Sequence, residues 1–215
     1  MSSSVERGKH VIYTRRSCSD RISSLPDELL AHMLSFLPTR CAVGTTRWRH
    51  FFTLSTFLSF DDTPCFDGGP YVPRFGCLKN IDPVQKRRFR KFVEKVLELL
   101  QIVPIKKFSL VCHGDYDKSD INAWVSYAVQ KGVQDLDYQV NVQVDHEPPN
   151  DIFMCETLVG LKMIGIGDYF LKIPLSACFP RLKILYLEDV SILYNDSVER
   201  LFSGCELLQE LTQEL

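Results

Sequence analysis

Residues 178–190 read CFPRLKILYLEDV, and inside them Leu182-x-x-Leu185-x-Leu187 sets a frame that recurs along the chain. The same frame stands at Ile105-x-x-Phe108-x-Leu110, Val133-x-x-Leu136-x-Tyr138 and Leu158-x-x-Leu161-x-Met163, and Leu208-x-x-Leu211 begins a fifth copy. Its middle positions step by 28, 25, 24 and 26 residues, the period of units built from one strand and one return segment. Successive strand side chains point to opposite faces, so the alternate apolar residues of each copy face inward together. One copy cannot bury that face alone. Stacked copies can, which predicts a curved solenoid over residues 101–215 with the return segments on its opposite side.

Two return segments carry helical spacing. Asp120 to Lys131 places Ile121, Trp124, Val125, Ala128 and Val129 on one face and stops at Gly132, a residue suited to the end of a helix. Asp196 with Glu199 makes a capping-box-like start, Val198, Leu201 and Phe202 form the apolar face, and Gly204 closes it. The stretch from Gly165 to Pro174 holds two glycines and a proline, and a loop or single tight turn is expected there. Upstream, Asp82-Pro83 opens a strong helix through Phe89, Phe92, Val93, Val96, Leu97 and Leu100, preceded by the Pro- and Gly-rich connection TPCFDGGPYVPRFG.

Residues 21–48 read RISSLPDELLAHMLSFLPTRCAVGTTRW. Ser23 and Ser24 offer a hydroxyl cap, Pro26 sits where a missing amide donor costs nothing, and Asp27 and Glu28 place negative charge in the first turn. Leu29, Leu30, Met33, Leu34, Phe36 and Leu37 then recur at helical spacing until Pro38 blocks continuation. So wide an apolar face on about three turns needs partners on more than one side, either core on both or core and another protein.

The order Leu-Pro-x-Glu-Leu-Leu, Leu-Ser-Phe-Leu-Pro-Thr, Ala-Val, Arg-Trp-Arg resembles the F-box of the large plant family of F-box/leucine-rich-repeat proteins, many of which also carry an FBD region. The stretches INAWVSYAVQKGVQDLDYQV, CETLVGLKMIG, CFPRLKILYLEDV and DSVERLFSGCELLQEL are similar to the repeats of the same family. What the resemblance implies is an F-box that binds a Skp-type adaptor, and through it a cullin-RING ubiquitin ligase, with Leu25, Pro26, Leu29, Leu30, Leu34, Leu37, Pro38, Val43 and Trp48 at the motif's apolar positions. The chain departs from the pattern after Ala42-Val43, where only Gly44, Thr45, Thr46 and Arg47 lead to Trp48. About one helical turn is missing, so a short or absent second helix is expected. The sequence stops at Leu215 inside a repeat with no FBD-like region, as a truncated member of that family would.

Composition excludes several classes. A net charge of −2 gives no basic excess for nucleic acid, and the N-terminus lacks an apolar run of signal-peptide length. An intracellular protein, in cytoplasm or nucleus and not spanning a membrane, is expected. The eight cysteines form no Cys-x-x-Cys pair, which favours reduced thiols over disulfides or a zinc site.

Candidate chemistry is sparse. The run KRRFRK at 86–91 reads as the solvated face of an amphipathic helix, and Gly165-Ile166-Gly167 lacks the rest of a dinucleotide fingerprint. His113, Asp115, Asp117 and Asp120 lack calcium-loop spacing and read as loop carboxylates and a helix cap. No catalytic residue, cofactor or metal is expected. Outward residues of the repeat frame, Lys107, Ser109, Asp135, Asp137, Gly160, Lys162, Lys183, Ile184 and Tyr186, are the candidates for contact with a target protein.

The expected fold class is α+β: a disordered stretch at 1–19, a small helical F-box at 20–52, a linker and helix at 53–100, and an incomplete leucine-rich-repeat solenoid at 101–215. The expected function is the non-catalytic substrate-recognition subunit of a Skp-cullin-F-box ubiquitin ligase. The alternative is a repeat-protein binding module, or a nonfunctional truncated copy, with a defective F-box.

Overall fold

A computed structural model of the chain describes residues 25–35, 39–40, 56–63, 81–100, 104–141, 147–192 and 195–214. Residues 1–19, Leu37, Pro38, Val43, Trp48 and the shortened segment between the last two lie outside the described residues.

The core of the fold is one six-stranded sheet whose strands stand in chain order and pair in parallel: β1 Phe57–Asp61, β2 Lys107–Cys112, β3 Asp135–Asn141, β4 Gly160–Leu171, β5 Ile184–Ile192 and β6 Glu210–Glu214. The returns are α2 Pro83–Leu99 between β1 and β2, α3 Lys118–Gln130 between β2 and β3, a 3-10 helix Asn150–Met154 between β3 and β4, and α4 Asn195–Ser203 between β5 and β6. A first helix, α1 Asp27–Ser35, precedes the sheet. Helices and a parallel sheet thus make a mixed fold. Among the described residues no helix is long and apolar enough to cross a membrane.

Each copy of the sequence frame enters the sheet in the same way. The carbonyl just ahead of a strand accepts two successive N–H groups from the next copy: Thr56 O from Lys106 and Lys107, Lys106 O from Gln134 and Asp135, Gln134 O from Val159 and Gly160, Val159 O from Lys183 and Ile184, and Lys183 O from Gln209 and Glu210. The register follows from these contacts, aligning Leu58, Phe108, Leu136, Leu161, Leu185 and Leu211 across the sheet. The alternate residues of the frame do face inward: Phe108, Leu110, Leu136, Tyr138, Leu161, Met163, Leu185 and Leu187 all lie in one buried cluster. That cluster also holds Phe89, Val93 and Val96 of α2 and Ile121, Trp124, Val125 and Ala128 of α3, so the helices cover the inner side of the sheet.

Two expectations change. First, the region assigned to linker contains β1, a further copy of the frame in which Leu58 and Phe60 take the inward positions beside Phe108 and Leu110. It is obscured in sequence because Ser55 stands where the frame wants an apolar residue, and because Leu58 lies 50 residues from Phe108, twice the repeat period. Second, Gly165 to Leu171 belongs to β4 rather than to a loop. The glycines are accommodated by an irregularity: Ile164 pairs with Glu188 and Tyr169 with Val190, so the four residues 165–168 of β4 stand against the single Asp189 of β5. Asp189, opposite that irregularity, takes φ 52, a left-handed conformation that aspartate tolerates better than most residues.

Helix ends follow their local chemistry. The Asp82 carboxylate accepts from Val84 N at 3.2 Å with Pro83 in the first turn, and Gly132 ends α3 at φ 76, where a Cβ would be strained. The basic residues Arg87, Arg88, Arg90 and Lys91 of α2 are exposed while Phe89 is buried, as expected for a solvated amphipathic face. Cys112, Cys155 and Cys205 are buried free thiols and Cys178 an exposed one.

The Phe108 ring is fully buried and packs 5.6 Å from the Phe60 ring across the β1–β2 junction. Phe108→Ala should lower the unfolding free energy by about 3–5 kcal/mol, read as a shift in the denaturant midpoint at unchanged slope. An unshifted midpoint would mean that the β1–β2 junction contributes nothing to the cooperative core.

Candidate functional site

Two surfaces carry the candidate residues. On α1, the Pro26 carbonyl accepts from Leu29 N and Leu30 N at 3.0 and 3.1 Å, opening the helix at the Leu-Pro pair. Leu30 is buried, with 2% of its surface exposed, whereas Leu29 and Met33, one turn apart on the same stripe, are 50% and 46% exposed. Leu25 is half-buried and Pro26 exposed. Leu34 lies within α1. Just beyond, the buried Thr39 hydroxyl accepts from Ser59 N at 2.8 Å and the Arg40 guanidinium donates to Asp61 O at 3.3 Å, tying the region after α1 to the edge strand β1.

The second surface is the side of the sheet turned away from the helices. Register places Lys107, Asp135, Gly160, Ile184 and Glu210 along one rung, Ser109, Asp137, Lys162, Tyr186 and Thr212 along the next, and Val111, Gln139, Ile164, Glu188 and Glu214 along a third. The sheet therefore gathers onto one face the sequence candidates Lys107, Ser109, Asp135, Asp137, Gly160, Lys162, Ile184 and Tyr186. Lys183 is exposed but sits one residue ahead of β5, where its backbone serves the junction between copies.

Contacts on this face are specific. Ser109 Oγ donates to Asp137 Oδ2 at 3.2 Å, Lys162 Nζ lies 4.8 Å from the centre of the Tyr186 ring, and the Tyr186 hydroxyl donates to Glu188 Oε2 at 2.9 Å. The hydrogen bond to Glu188 chiefly, with some burial and the Glu188 and Glu214 charges, pushes the Tyr186 phenol up to about 12. Gly160 makes room for its neighbour: a Cβ there would stand 2.6 Å from Asp135 Oδ1.

At the far ends of β1 and β2 a third group appears that sequence reading did not assemble. Asp61, Asp62 and His113 bring ligand-type atoms within 4.8 Å of one another. The chemistry of the group is nevertheless that of a strap. The Asp62 carboxylate accepts from His113 N at 2.9 and 3.0 Å, from Gly114 N at 2.8 Å and from His113 Nδ1 at 3.0 Å, while Asp61 Oδ1 accepts from Thr63 N at 2.8 Å. The earlier grouping of His113 with Asp115, Asp117 and Asp120 disperses. Asp117 stands at the start of α3 without a side-chain cap bond, and Asp120 pairs with Arg90 of α2 at 3.1 Å. Asp62 escaped notice because it lies 51 residues from His113, and only the β1–β2 pairing brings them together.

Comparison with known proteins bears on both surfaces. The family model for the LRR repeats of the FBD-associated F-box protein At5g56370 matches residues 121–214. The F-box/LRR-repeat protein At3g59200 of Arabidopsis thaliana is 36% identical over 199 residues, covering 89% of this chain and 36% of the relative. The chain is thus similar to plant proteins named for an F-box and leucine-rich repeats. The F-box/LRR-repeat protein At3g59190 from the same plant is 34% identical over 200 residues, 89% of this chain and 49% of its own length. The putative F-box/FBD/LRR-repeat protein At3g59240 is 32% identical over 207 residues, 91% of this chain and 38% of its own length. The chain thus spans about a third to a half of the curated relatives it matches. No solved structure matches it.

The Asp62 strap gives the chain a pH signature. The hydrogen bond to Asp62 chiefly, with the Asp62 and Asp61 charges, raises the His113 pKa against the opposing effect of partial burial. The folded pKa lies above the unfolded one of roughly 6.5, so the stabilisation is complete below that value and is lost as pH rises through the folded pKa. His113→Gln should therefore cost more stability at about pH 5.5 than at about pH 8.5, measured by denaturant titration at both. An equal cost at the two pH values would show that the imidazolium contributes no charge interaction.

Proposed function

We propose that the chain is a substrate-recognition subunit of a Skp-cullin-F-box ubiquitin ligase, built as a small helical F-box followed by a leucine-rich-repeat solenoid. The α1 region engages a Skp-type adaptor, and through it a cullin-RING complex, while the open face of the repeats engages a target protein. The observation that carries this reading is the split of α1: Leu30 is buried while Leu29 and Met33 on the neighbouring stripe are about half exposed. A helix partitioned in this way holds its own fold with one stripe and leaves the other for a partner. The names of the relatives, F-box/LRR-repeat proteins, support the same assignment.

Such a subunit needs no catalytic residue. It raises the local concentration of a target lysine beside a ubiquitin-conjugating enzyme, and the proximity supplies the rate. An intracellular site of action belongs to this reading. A second reading, a repeat-only binding module with a defective F-box, is favoured by the short passage from Val43 to Trp48. Inserting about four helix-forming residues there restores one turn. Adaptor binding that appears only in the repaired chain would favour the second reading.

Leu29→Asp places an unpaired charge in the proposed apolar contact without entering the core. It should weaken binding to a Skp-type adaptor by at least about 2 kcal/mol, measured by titration calorimetry, with thermal stability unchanged. Full binding by the charged variant would remove α1 as the adaptor surface.

A further inference from the structure

Twelve outward positions of β3 to β6 hold five carboxylates, Asp135, Asp137, Glu188, Glu210 and Glu214, against the single cation Lys162. The acidity is local, since 25 basic and 27 acidic residues leave the whole chain at only −2. None of the five carboxylates forms an ion pair among the described residues. Lys162, its ammonium over the Tyr186 ring, offsets one of those charges and leaves these twelve positions at a net of four negative charges.

The hydrogen-bond balance points the same way. Two donors on this face are already engaged, Ser109 on Asp137 and the Tyr186 hydroxyl on Glu188. Acceptors remain: Asp137 Oδ1 is buried without any partner. A buried acceptor lacking a donor costs free energy until a donor arrives. The sheet already shows how a cation sits here, in the Lys162 ammonium laid over the Tyr186 ring.

We propose that the open face from β3 to β6 binds a cationic, arginine- or lysine-rich segment of the target protein. The proposal rests on the receptor reading only for calling that ligand the target. Positive charge is what these four strands lack, and a guanidinium or ammonium group brings it together with hydrogen-bond donors. A nucleic acid, a phosphorylated peptide or an anionic membrane would meet like charge.

The test is fluorescence anisotropy of labelled short peptides, one arginine- and lysine-rich and one of the same length rich in glutamate, titrated with the full chain. The basic peptide should bind, the acidic one should not, and binding should fall steeply between roughly 0.05 and 0.5 M salt. Asp137→Asn combined with Glu188→Gln should weaken the basic peptide about tenfold, whereas Asp151→Asn combined with Glu206→Gln, the same charge change at exposed acids off this face, should leave it within about twofold. Glu210→Lys, at an exposed position, should weaken binding with the fold intact, which guards against misfolding of the double variant. Equal loss in the off-face control, equal binding of the acidic peptide, or no binding of the basic one would overturn the proposal. Adaptor titrations on the same preparations separate the two ideas. Adaptor binding without peptide binding refutes this inference alone, and peptide binding without adaptor binding refutes the receptor reading alone.

Discussion

A single backbone carbonyl at the foot of each strand takes two N–H groups from the next copy, and the rest of the molecule depends on that contact. It repeats at all five junctions, from Thr56 through Lys106, Gln134 and Val159 to Lys183. Because it fixes where each strand begins, it fixes register. A one-residue slip would turn the inward row of Leu58, Phe108, Leu136, Leu161 and Leu185 onto the other face. Return segments differ freely in length and kind, helix in one place and 3-10 turn in another, provided that they deliver the chain to the same acceptor.

The inner face is one continuous apolar body, with the Phe89 and Tyr116 rings tilted against each other and each meeting Trp124 edge-on where α2 and α3 pack together. The outer face is free of that constraint and carries polar chemistry instead. The Thr39–Ser59 and Arg40–Asp61 contacts join the end of the α1 region to this scaffold through β1. On the proposed reading those contacts anchor the chain after α1 to the repeat scaffold, which suits a proximity mechanism.

How much was legible in the sequence depended on whether the signal was local. The frames centred on Phe108, Leu136, Leu161, Leu185 and Leu211, the helix opened by Asp82-Pro83 and the stop at Gly132 each depend on residues within one or two turns, and all five frames and both helix signals reappear in the structure. β1 was hidden because Ser55 breaks its frame and α2 doubles its spacing. The Gly165 and Gly167 pair read as a loop because glycine weakens strand propensity, yet hydrogen bonds on both flanks carry the strand across the irregularity.

By itself the sequence determined the repeat, its inward apolar rows and the Leu-Pro start of α1, since periodicity and capping act between near neighbours. Only the tertiary structure decided which polar residues share a rung, that Lys162 turns to Tyr186 rather than to a carboxylate, and that Asp62 closes on His113 from the adjacent strand. Those outcomes are set by pairing between strands many residues apart. Their energies depend on burial and on distances of a few ångströms, neither of which spacing along a chain encodes.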